Sequence, residues 1–369
     1  MKKVLITTAN LRKGNGIASC IMNYYDGLLA NGYTVDFLNQ KKVESSLMDY
    51  AISRGSKVIE LPFLGKNHWK ANKNFIFETI KKNNYDIVHN NLTGLDGVEV
   101  LMSAKKVGTI SIHHSHNPKE TSSLKARVRS MIFDPMCAQL SNEHFACSRA
   151  AGDSVFGKDK YLLVTNAIPA NKFIFDEVFR KEFREKYGIN DCFVIGTVCR
   201  HAEQKNPYFI VDILEQALKI DPKVKLLWLG SGPLSDSISE YVEKKGLSKD
   251  VLLLGAVENA NVLYSVMDTF ILPSFFEGLG MVLIEAQASG LQCVASDKVP
   301  LDTQVSPNIE YYSLNNDAKM WANKILSYRD KSKMRGDCTQ YLRDRGYDIT
   351  IERDKLANYY DEFIMRKEQ

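Results

Sequence analysis

What the sequence lacks excludes several classes of protein. Its seven cysteines are odd in number and never spaced C-x-x-C, which argues against a disulfide framework or a structural zinc site and indicates a reducing compartment. No stretch approaches the roughly 18 apolar residues of a membrane span, and the short apolar run at the N-terminus lacks the features of a signal peptide. A net charge of +4 does not indicate nucleic-acid binding. These absences predict a protein of the cytoplasm or of the inner face of the cell membrane.

Strands and helices alternate along the chain. Apolar residues at Ile17, Ile21, Tyr24 and Leu28 recur at helical spacing after the first predicted strand. The alternation pauses at residues 164–172 and then resumes. The predicted strands are 4–8, 34–38, 57–61, 87–90 and 109–113, followed by 193–198, 224–229, 251–254, 270–273 and 292–295. Such alternation is typical of parallel sheets that are covered by helices on both faces.

The sequence therefore predicts an α/β protein with two Rossmann-like, doubly wound domains that face each other across a cleft. The first domain is predicted to span residues 1–168 and the second residues 169–348. Residues 349–369 are predicted to form an amphipathic terminal helix, with Ile351 and Phe363 among its apolar residues, that packs back on the first domain. Because parallel sheets bind ligands beyond the carboxyl ends of their strands, the cleft is the expected ligand site.

The segment LPSFFEGLGMVLIEAQASGLQCVASD, residues 272–297, carries the most informative chemistry. A strand ends at Pro273, a glycine-containing loop carries Glu277, a helix begins near Met281, and Glu285 lies one turn inside that helix. The glycines let backbone approach a ligand, and the N–H groups at a helix N-terminus attract anions. A diphosphate bound there would place a sugar near one carboxylate and a ribose near the other. The alternative is a capped helix with two solvated carboxylates.

This segment resembles the E-(seven residues)-E signature of glycosyltransferase family four, whose members are retaining enzymes of the GT-B fold. Glu277 and Glu285 match the two glutamates, in the context of FEG, the glycine loop and the SG and SD pairs that follow. The resemblance implies that Glu277 is a catalytic residue that holds the donor sugar and that Glu285 binds the donor ribose. The residues implied to bind the donor diphosphate are Gly278, Leu279 and Gly280.

The resemblance extends to other strand ends of the second domain. Arg200 and Lys205 resemble the two cations that neutralise the donor diphosphate and the charge that develops as it departs. Two solvated side chains are the alternative. The turn at residues 229–234 resembles a structural turn of the family, in which glycine permits tight packing. The loop implied to contact the nucleotide base through backbone groups is Gly255, Ala256 and Val257.

In the first domain, Gly14 and Gly16 align with the glycine-rich loop of the same family. The resemblance implies that Gly16 approaches the donor diphosphate, and a tight turn is the alternative. The third glycine of a dinucleotide fingerprint is missing, since Ser19 stands in its place, and Asp36 lies inside the next strand instead of at its end. A nicotinamide-dependent dehydrogenase is therefore the least favoured enzyme class.

Three histidines follow a buried strand of the first domain. A strand end does not easily aim His113, His114 and His116 at one point, and no carboxylate or cysteine completes the set, so a metal site is disfavoured. The resemblance selects His116 as a catalytic residue near the reacting sugar, with His114 as the alternative. The sequence has no D-x-D motif, which other glycosyltransferases use to hold a metal on the diphosphate. This favours a metal-independent enzyme in which Arg200 and Lys205 take the place of the ion.

A basic segment at residues 122–133 combines Lys125, Arg127 and Arg129 with apolar residues. A helix of this kind can lie on anionic lipid, and a solvated helix face is the alternative. Members of the resembled family that build capsules or exopolysaccharides often use lipid-linked acceptors. Peripheral membrane contact is therefore kept as a hypothesis.

Together these observations predict a hexosyltransferase. It would move a sugar from a nucleotide diphosphate, with UDP favoured, to a hydroxyl group of a glycan or lipid-linked acceptor. Since the nucleotide sugar is a substrate, no cofactor is expected. The resemblance implies retention through front-face attack, with the leaving phosphate accepting the proton of the acceptor. The alternatives are a nucleotide-sugar epimerase or glycan phosphorylase on the same fold, and a non-catalytic binding protein.

Overall fold

The computed structural model describes residues 2–12, 16–41, 45–62, 69–117, 124–257, 259–331 and 335–369. The chain divides into two compact units. The first unit comprises residues 1–168 together with 349–369, and the second comprises residues 169–348. The chain thus leaves the first unit, forms the second, and returns to the first.

The first unit is built on a parallel sheet. Its described strands are β1 (Lys2–Thr8), β2 (Tyr33–Asn39), β3 (Val58–Glu60), β4 (Ile87–Asn90), β5 (Ile110–Ser115), β6 (Glu143–Ala146) and β7 (Leu162–Leu163). They lie in the order β3-β2-β1-β4-β5-β6-β7, and each neighbouring pair is parallel. The direction of the order changes between β1 and β4. The carboxyl ends of these two strands therefore form a topological switch point, where ligands commonly bind.

The second unit repeats this arrangement. Its described strands are β8 (Phe193–Val198), β9 (Val224–Leu229), β10 (Val251–Gly255), β11 (Thr269–Leu272), β12 (Gln292–Ser296) and β13 (Ile309–Tyr312). They lie in the order β10-β9-β8-β11-β12-β13, again with parallel neighbours. The switch point of this sheet lies between β8 and β11.

Helices connect the strands of both units. In chain order the described α-helices are α1 (Gly16–Ala30), α2 (Ser46–Ser53), α3 (Trp69–Asn83), α4 (Gly94–Val107), α5 (Leu124–Leu140), α6 (Arg149–Val155), α7 (Glu177–Lys186), α8 (Pro207–Ile220), α9 (Ser235–Lys244), α10 (Ala260–Leu263), α11 (Met281–Ala288), α12 (Ala318–Leu326), α13 (Thr339–Asp344), α14 (Ile349–Glu352) and α15 (Lys355–Glu368). Short 3₁₀ turns lie at Ala170–Phe173, Glu203–Lys205, Tyr264–Val266 and Leu301–Thr303.

Two apolar clusters flank the sheet of the first unit. Val4 and Ile6 of β1 belong to one cluster and Leu5 belongs to the other, as expected when successive side chains of a strand point to opposite faces. The first cluster also contains Tyr24 of α1 and Tyr360 of α15, both about 1% exposed or less. The last helix of the chain therefore completes the core that the first helix begins.

In the second unit, local sequence fixes the residues at which α7 and α8 begin. The side chain of Asp176 caps α7 by accepting a hydrogen bond from the backbone N–H of Phe179 at 2.9 Å. Pro207 occupies the first position of α8, where a missing N–H costs nothing. Asn206 before it adopts a φ of 54°. The loop between β8 and α8, which carries Arg200 and Lys205, is thus closed by a defined helix start.

Most predicted strands and helices are present, with ends that shift by one or two residues. The strands predicted at 87–90, 193–198 and 224–229 coincide with β4, β8 and β9. The sequence pattern did not predict β6, β7 and β13. Each is short and has partly exposed residues, so none shows the continuous apolar run of a central parallel strand.

One residue of the predicted terminal helix is placed wrongly by the sequence pattern. Ile351 was expected among its apolar residues, but its side chain is 62% exposed. It belongs to the short α14, whereas Leu356 and Phe363 lie on α15 and are each 3% exposed. Because α14 ends at Glu352 and α15 begins at Lys355, Ile351 does not share a helical face with the buried pair.

The seven cysteines are free thiols in this structure. Six of them are buried, and Cys192 is partly exposed. Burial raises the pKa of Cys199 to about 11, which keeps that thiol protonated and unreactive at neutral pH. The cysteines therefore behave as small apolar side chains of the two cores.

Candidate functional site

The second unit brings two loops together at its switch point. One loop follows β8 and contains Arg200 and Lys205, and the other follows β11 and contains Glu277 and the glycines before α11. Because β8 and β11 are parallel neighbours, the two loops leave the same edge of the sheet. Residues far apart in sequence therefore meet at the edge where parallel sheets bind ligands.

Backbone and side-chain hydrogen bonds tie the two loops to each other. The N–H of Phe275 donates to the carbonyl oxygen of Gln204 at 2.9 Å, and Nε2 of Gln204 donates to the carbonyl oxygen of Phe276 at 2.9 Å. Oγ of Ser296, at the end of β12, donates to the carbonyl oxygen of Ser274 at 2.5 Å. These contacts hold the loop after β11 from both sides.

Lys205 and Glu277 form an ion pair between the two loops. Nζ of Lys205 lies 2.6 Å and 2.7 Å from the two carboxylate oxygens of Glu277, and the side chains are 16% and 5% exposed. Oγ of Ser274, which is fully buried, donates a further hydrogen bond of 2.6 Å to Oε1 of Glu277. The carboxylate is thus fixed by a cation and a hydroxyl group, as expected for a charge removed from water.

Arg200 differs from Lys205 in its surroundings. Its side chain is exposed, and it makes no hydrogen bond or ion pair with any residue in the described part of the chain. The backbone on either side of Arg200, in contrast, packs closely against two glycines. A Cβ atom on Gly230 would lie 1.9 Å from the carbonyl oxygen of Cys199, and one on Gly232 would lie 2.4 Å from that of His201. The prediction that glycine in this turn permits tight packing is confirmed.

The N-terminus of α11 is open. Gly280 is the N-cap residue with a φ of 84°, a conformation that favours glycine, and no side chain caps the helix. The first turn carries no acidic residue. Leu279 is 4% exposed and anchors the loop, while Gly278 is partly exposed. The first N–H groups of such a helix lack intrahelical partners and, with the helix dipole, favour an anion.

Glu285 of α11 has a partner that the sequence did not reveal. The hydroxyl group of Tyr264 donates a hydrogen bond of 2.7 Å to Oε2 of Glu285. Burial raises the pKa of Glu285, and the Tyr264 hydrogen bond opposes that effect. The carbonyl oxygen of Tyr264 in turn accepts a hydrogen bond of 3.1 Å from the buried guanidinium of Arg335. Tyr264 is thus held from its backbone and directs its hydroxyl group at Glu285.

The loop after β10 lies at the edge of the second sheet. Gly255 has a φ of 66°, and its carbonyl oxygen accepts a hydrogen bond of 2.7 Å from the N–H of Gly230. Ala256 is exposed and Val257 is partly exposed. Glu258, the next residue, lies outside the described residues.

In the first unit, Gly16 is the first residue of α1 and is exposed. A Cβ atom at this position would meet no atom within 4 Å, so packing inside the protein does not require glycine there. Gly14 lies outside the described residues. The structure thus gives the position of Gly16 but no internal reason for its identity.

The buried histidines of the first unit form a cluster that consists of His89, His113, His114 and His116. Nε2 of His116 lies 2.7 Å from Oδ1 of Asn91, while His114 bonds to His89 at 3.1 Å and His113 bonds to Asn90 at 3.1 Å. The three histidines of the sequence motif therefore have separate partners. Within the described residues, no group of three or more His, Cys, Asp or Glu side chains is arranged to hold a metal ion.

His116 is 7% exposed, and its protonation state follows from its contacts. Burial and, to a smaller extent, nearby His113 lower its pKa to about 3, and Asn166 opposes this shift. Because Nδ2 of Asn91 donates to the carbonyl oxygen of Thr7, Oδ1 of Asn91 faces His116 and accepts its Nε2–H. Nδ1 of His116 is left as an acceptor without a partner among the described residues.

Residues 179–345, nearly all of the second unit, match the family model described as glycosyl transferases group 1. Most of the second unit is therefore similar to glycosyl transferases of group 1. The site formed by Lys205, Glu277 and α11 lies inside the matched residues. The cations, carboxylates and helix terminus described above all lie within the part of the chain that resembles this family.

Comparisons with individual proteins extend over the whole chain. It is 27% identical over 372 residues to "Putative glycosyltransferase EpsF" of Bacillus subtilis, covering 98% of this chain and 96% of that protein. It is 22% identical over 309 residues to the UDP-Gal:alpha-D-GlcNAc-diphosphoundecaprenol alpha-1,3-galactosyltransferase of Escherichia coli, covering 79% of each. These relatives and the group 1 domain indicate a glycosyltransferase.

The fold has a solved counterpart. The crystal structure of Anabaena Alr3699/HepE in complex with UDP and glucose superposes with a TM-score of 0.80, covering 98% of this chain and 100% of that chain at 15% identity. With two parallel-sheet α/β units and the group 1 domain, this likeness establishes the GT-B fold. The fold class predicted from the sequence is confirmed.

Proposed function

We propose that the protein is a retaining hexosyltransferase that uses a UDP-sugar donor and a lipid-linked or polysaccharide acceptor. The observation that carries the proposal is the Lys205–Glu277 pair, which lies on the loops that also present Arg200 and the open N-terminus of α11. This arrangement offers an anion site and a fixed carboxylate on one edge of one sheet.

The donor diphosphate would bind at the N-terminus of α11, with Gly278, Leu279 and Gly280 providing backbone contacts. Arg200 would approach it as an unpaired cation, since its side chain is exposed and has no ion pair among the described residues. Lys205 would share its charge between the diphosphate and Glu277. Two cations and a helix dipole would together stabilise the leaving group, without a metal ion.

The two carboxylates would bind the two sugars of the donor. Glu277, held by Lys205 and Ser274, would accept hydrogen bonds from hydroxyl groups of the transferred sugar. Glu285, held by Tyr264, would accept them from the ribose. Residues 255–257 would contact the base through their backbone groups.

For the first unit we propose a backbone contact of Gly16 with the donor diphosphate and a role for His116 near the reacting sugar. Nδ1 of His116 is an unpartnered acceptor among the described residues, and its low pKa keeps the ring neutral at physiological pH. A neutral imidazole would accept a hydrogen bond from a sugar hydroxyl group without adding charge to the reacting centre.

The reaction would proceed on one face of the donor sugar. The bond between the anomeric carbon and the phosphate oxygen breaks, the acceptor oxygen bonds to the same carbon, and the proton of the acceptor moves to the departing phosphate. UDP leaves with the electron pair of the broken bond. Exclusion of water would protect the oxocarbenium-like state from hydrolysis.

The choice of donor and acceptor draws support from named relatives. The E. coli relative is named for a UDP-galactose donor and a diphosphoundecaprenol-linked acceptor, and the Anabaena structure contains UDP and glucose. For this chain we therefore propose a UDP-hexose and a polyprenyl-diphosphate-linked sugar, in the assembly of a capsule or exopolysaccharide.

Nucleotide binding provides the first test. We expect UDP to bind more tightly than GDP or ADP in calorimetric titrations, and Arg200→Ala to weaken UDP binding by about tenfold to hundredfold, since a hydrogen bond to a charged group contributes roughly 1.5–3 kcal/mol. Lys319→Ala, which removes an exposed cation from α12, is the matched control. Equal affinities for both variants and the wild type would contradict the diphosphate assignment.

Catalysis provides the second test. We expect release of UDP from a UDP-sugar to require the lipid-linked acceptor, to be insensitive to EDTA, and to fall by about a hundredfold or more in Glu277→Ala. The anomeric configuration of the product, read by NMR coupling constants, tests retention. Turnover that depends on inorganic phosphate, or isomerisation of the donor without an acceptor, would instead identify a phosphorylase or an epimerase.

A further inference from the structure

One arginine of the second unit, Arg335, joins two separate segments beside the proposed donor site. It lies between α12 and α13. Nη1 donates to the carbonyl oxygens of Ser265 and Met267 at 3.2 Å and 3.0 Å. Nη2 donates to the carbonyl oxygens of Tyr264 and Ser289 at 3.1 Å and 2.6 Å, and Nε donates to that of Ser289 at 3.0 Å. Each of the three guanidinium nitrogens therefore has a partner.

The first of the two segments is the turn that carries Tyr264. Tyr264–Val266 form a 3₁₀ turn with Met267 as its C-cap. Carbonyl groups at the end of a helical turn lack partners within it and favour a cation, and the guanidinium of Arg335 supplies both a charge and donors. The backbone of Tyr264 is thereby fixed, while its hydroxyl group donates the 2.7 Å hydrogen bond to Glu285.

The second segment is the end of α11, the helix that carries Glu285. Ser289 is its C-cap residue, and the N–H of Ser289 donates to the carbonyl oxygen of Glu285 at 3.2 Å. Oγ of Ser289 accepts a further hydrogen bond of 2.6 Å from Nη2 of Arg335. The next residue, Gly290, packs closely on the segment of Arg335, since a Cβ there would lie 2.6 Å from the carbonyl oxygen of Gly336. The same guanidinium thus fixes the last turn of α11.

We propose that Arg335 is a positioning residue that sets the carboxylate of Glu285 for the hydroxyl groups of the donor ribose. It acts through Tyr264, which donates to the carboxylate, and through Ser289, which ends the helix that carries it. The inference rests on the proposed function of Glu285 and adds the reason why that carboxylate keeps one orientation. A planar guanidinium reaches both segments in fixed directions, whereas an ammonium group donates from a single point.

Arg180 provides a matched comparison. Nη1 of Arg180 donates to the carbonyl oxygens of residues 265–267 at 2.9 to 3.0 Å, so it binds the same turn as Arg335. None of its hydrogen bonds is made with Tyr264 or Ser289. Arg180→Lys and Arg335→Lys therefore make the same chemical change at the same turn, but only Arg335→Lys removes contacts with the two residues that support Glu285.

Binding of UDP and of 2′,3′-dideoxy-UDP, compared by calorimetry, tests the inference. We expect the wild type to prefer UDP by about tenfold or more, because the absence of the hydroxyl groups leaves a buried carboxylate without their hydrogen bonds. In Arg335→Lys the preference should fall to about twofold or less, while the affinity for 2′,3′-dideoxy-UDP changes by less than about threefold, because the contacts with base and diphosphate lie elsewhere. Arg180→Lys should keep the preference of the wild type.

Two further variants separate the possible failures. Ser289→Ala removes a single acceptor of Arg335 and should lower the preference by about threefold, which tests the inference even if Arg335→Lys does not fold. Glu285→Ala should lose the preference completely. If Glu285→Ala loses it but Arg335→Lys or Ser289→Ala keeps it, or if Arg180→Lys loses it equally, the positioning role is overturned and the ribose role of Glu285 remains. A wild type or a Glu285→Ala variant that contradicts these expectations would overturn both.

Discussion

At the scale of single residues, the carboxylate of Glu277 illustrates what folding adds to a motif. The sequence motif assigned Glu277 and Lys205 to different parts of a donor, and the structure pairs them with each other at 2.6 Å. That contact depends on the loop after β8 meeting the loop after β11, which no local pattern specifies. Ser274 and Tyr264 were missed for the same reason, because a lone serine or tyrosine carries no periodic signal.

The ion pair predicts a non-additive effect on stability. We expect Lys205→Ala to destabilise the protein by about 3 kcal/mol, since it leaves the 5%-exposed carboxylate of Glu277 without its cation. Lys205→Ala combined with Glu277→Ala should be less destabilised than the sum of the two single variants. Urea unfolding of all four proteins measures the coupling, and strictly additive free energies would argue against the pair.

Tyr264 predicts a pH effect on nucleotide binding. Burial raises the pKa of Glu285 and the Tyr264 hydroxyl opposes this, so Tyr264→Phe should raise that pKa further. If ionised Glu285 holds the ribose, UDP affinity will fall as pH decreases, and the fall will begin at a higher pH in Tyr264→Phe. Calorimetry across pH 5 to 8 tests this, with Glu285→Gln as the variant that lacks the titration. Identical pH profiles for wild type and Tyr264→Phe would exclude this positioning role.

At the scale of elements, periodicity predicted the well-buried strands but missed three short ones, β6, β7 and β13. All four residues of β4 and five of the six in each of β8 and β9 are buried, whereas β7 has two partly exposed residues and β13 has one buried residue of four. Which side of α5 is buried could not be predicted, because a helix that is apolar on both sides has no dominant direction. Which of its sides is buried is decided by α4, which is distant in sequence.

The turn after β9 predicts a local steric effect. Gly230→Ala should destabilise the protein by about 3 kcal/mol, since its Cβ would lie 1.9 Å from the carbonyl oxygen of Cys199. It should also weaken UDP binding, because Gly230 packs against the carbonyl group of Cys199, the residue before Arg200 in the loop after β8. Gly246→Ala is the matched control, with a positive φ of 70° but no atom within 4 Å of the new Cβ, and should cost only about 1 kcal/mol. Similar losses for both variants would show that conformation, and not packing, requires glycine at 230.

At the scale of the whole molecule, the fold was accessible from sequence but the substrate was not. Two series of alternating strands and helices predict two parallel sheets, and both are present. The sugar, base and acceptor depend on the shape of loops, which local sequence does not define. The histidine cluster shows the same limit. The sequence predicts that His113, His114 and His116 follow a strand, but it does not reveal that they are buried inside the first unit.

The histidine cluster predicts sensitivity to acid. Burial lowers the pKa of His89 and His116 to about 3 and that of His113 to about 4, and lowers that of His114 also. Between pH 6.5 and these values the unfolded chain binds more protons than the folded one, so stability falls as pH falls, by about 1.4 kcal/mol per pH unit for each histidine. In urea unfolding at pH 4.5 to 7, the free energy of unfolding of His114→Gln should fall less steeply with decreasing pH than that of the wild type. Equal dependence on pH in the two proteins would contradict the role of His114 in the loss of stability at low pH.

The return of the chain to its first unit has a consequence for synthesis on the ribosome. Tyr360 and Phe363 fill the core beside α1, and the hydroxyl group of Tyr360 lies 2.5 Å from Nδ1 of His89. A nascent polypeptide that has emerged only as far as residue 348 contains every strand of both sheets, but the place of α15 is vacant and the neighbouring aromatic groups are open to water. The second unit can therefore mature first, and the earlier-translated unit waits for its last helix, depending on chaperones or rapid elongation to avoid aggregation.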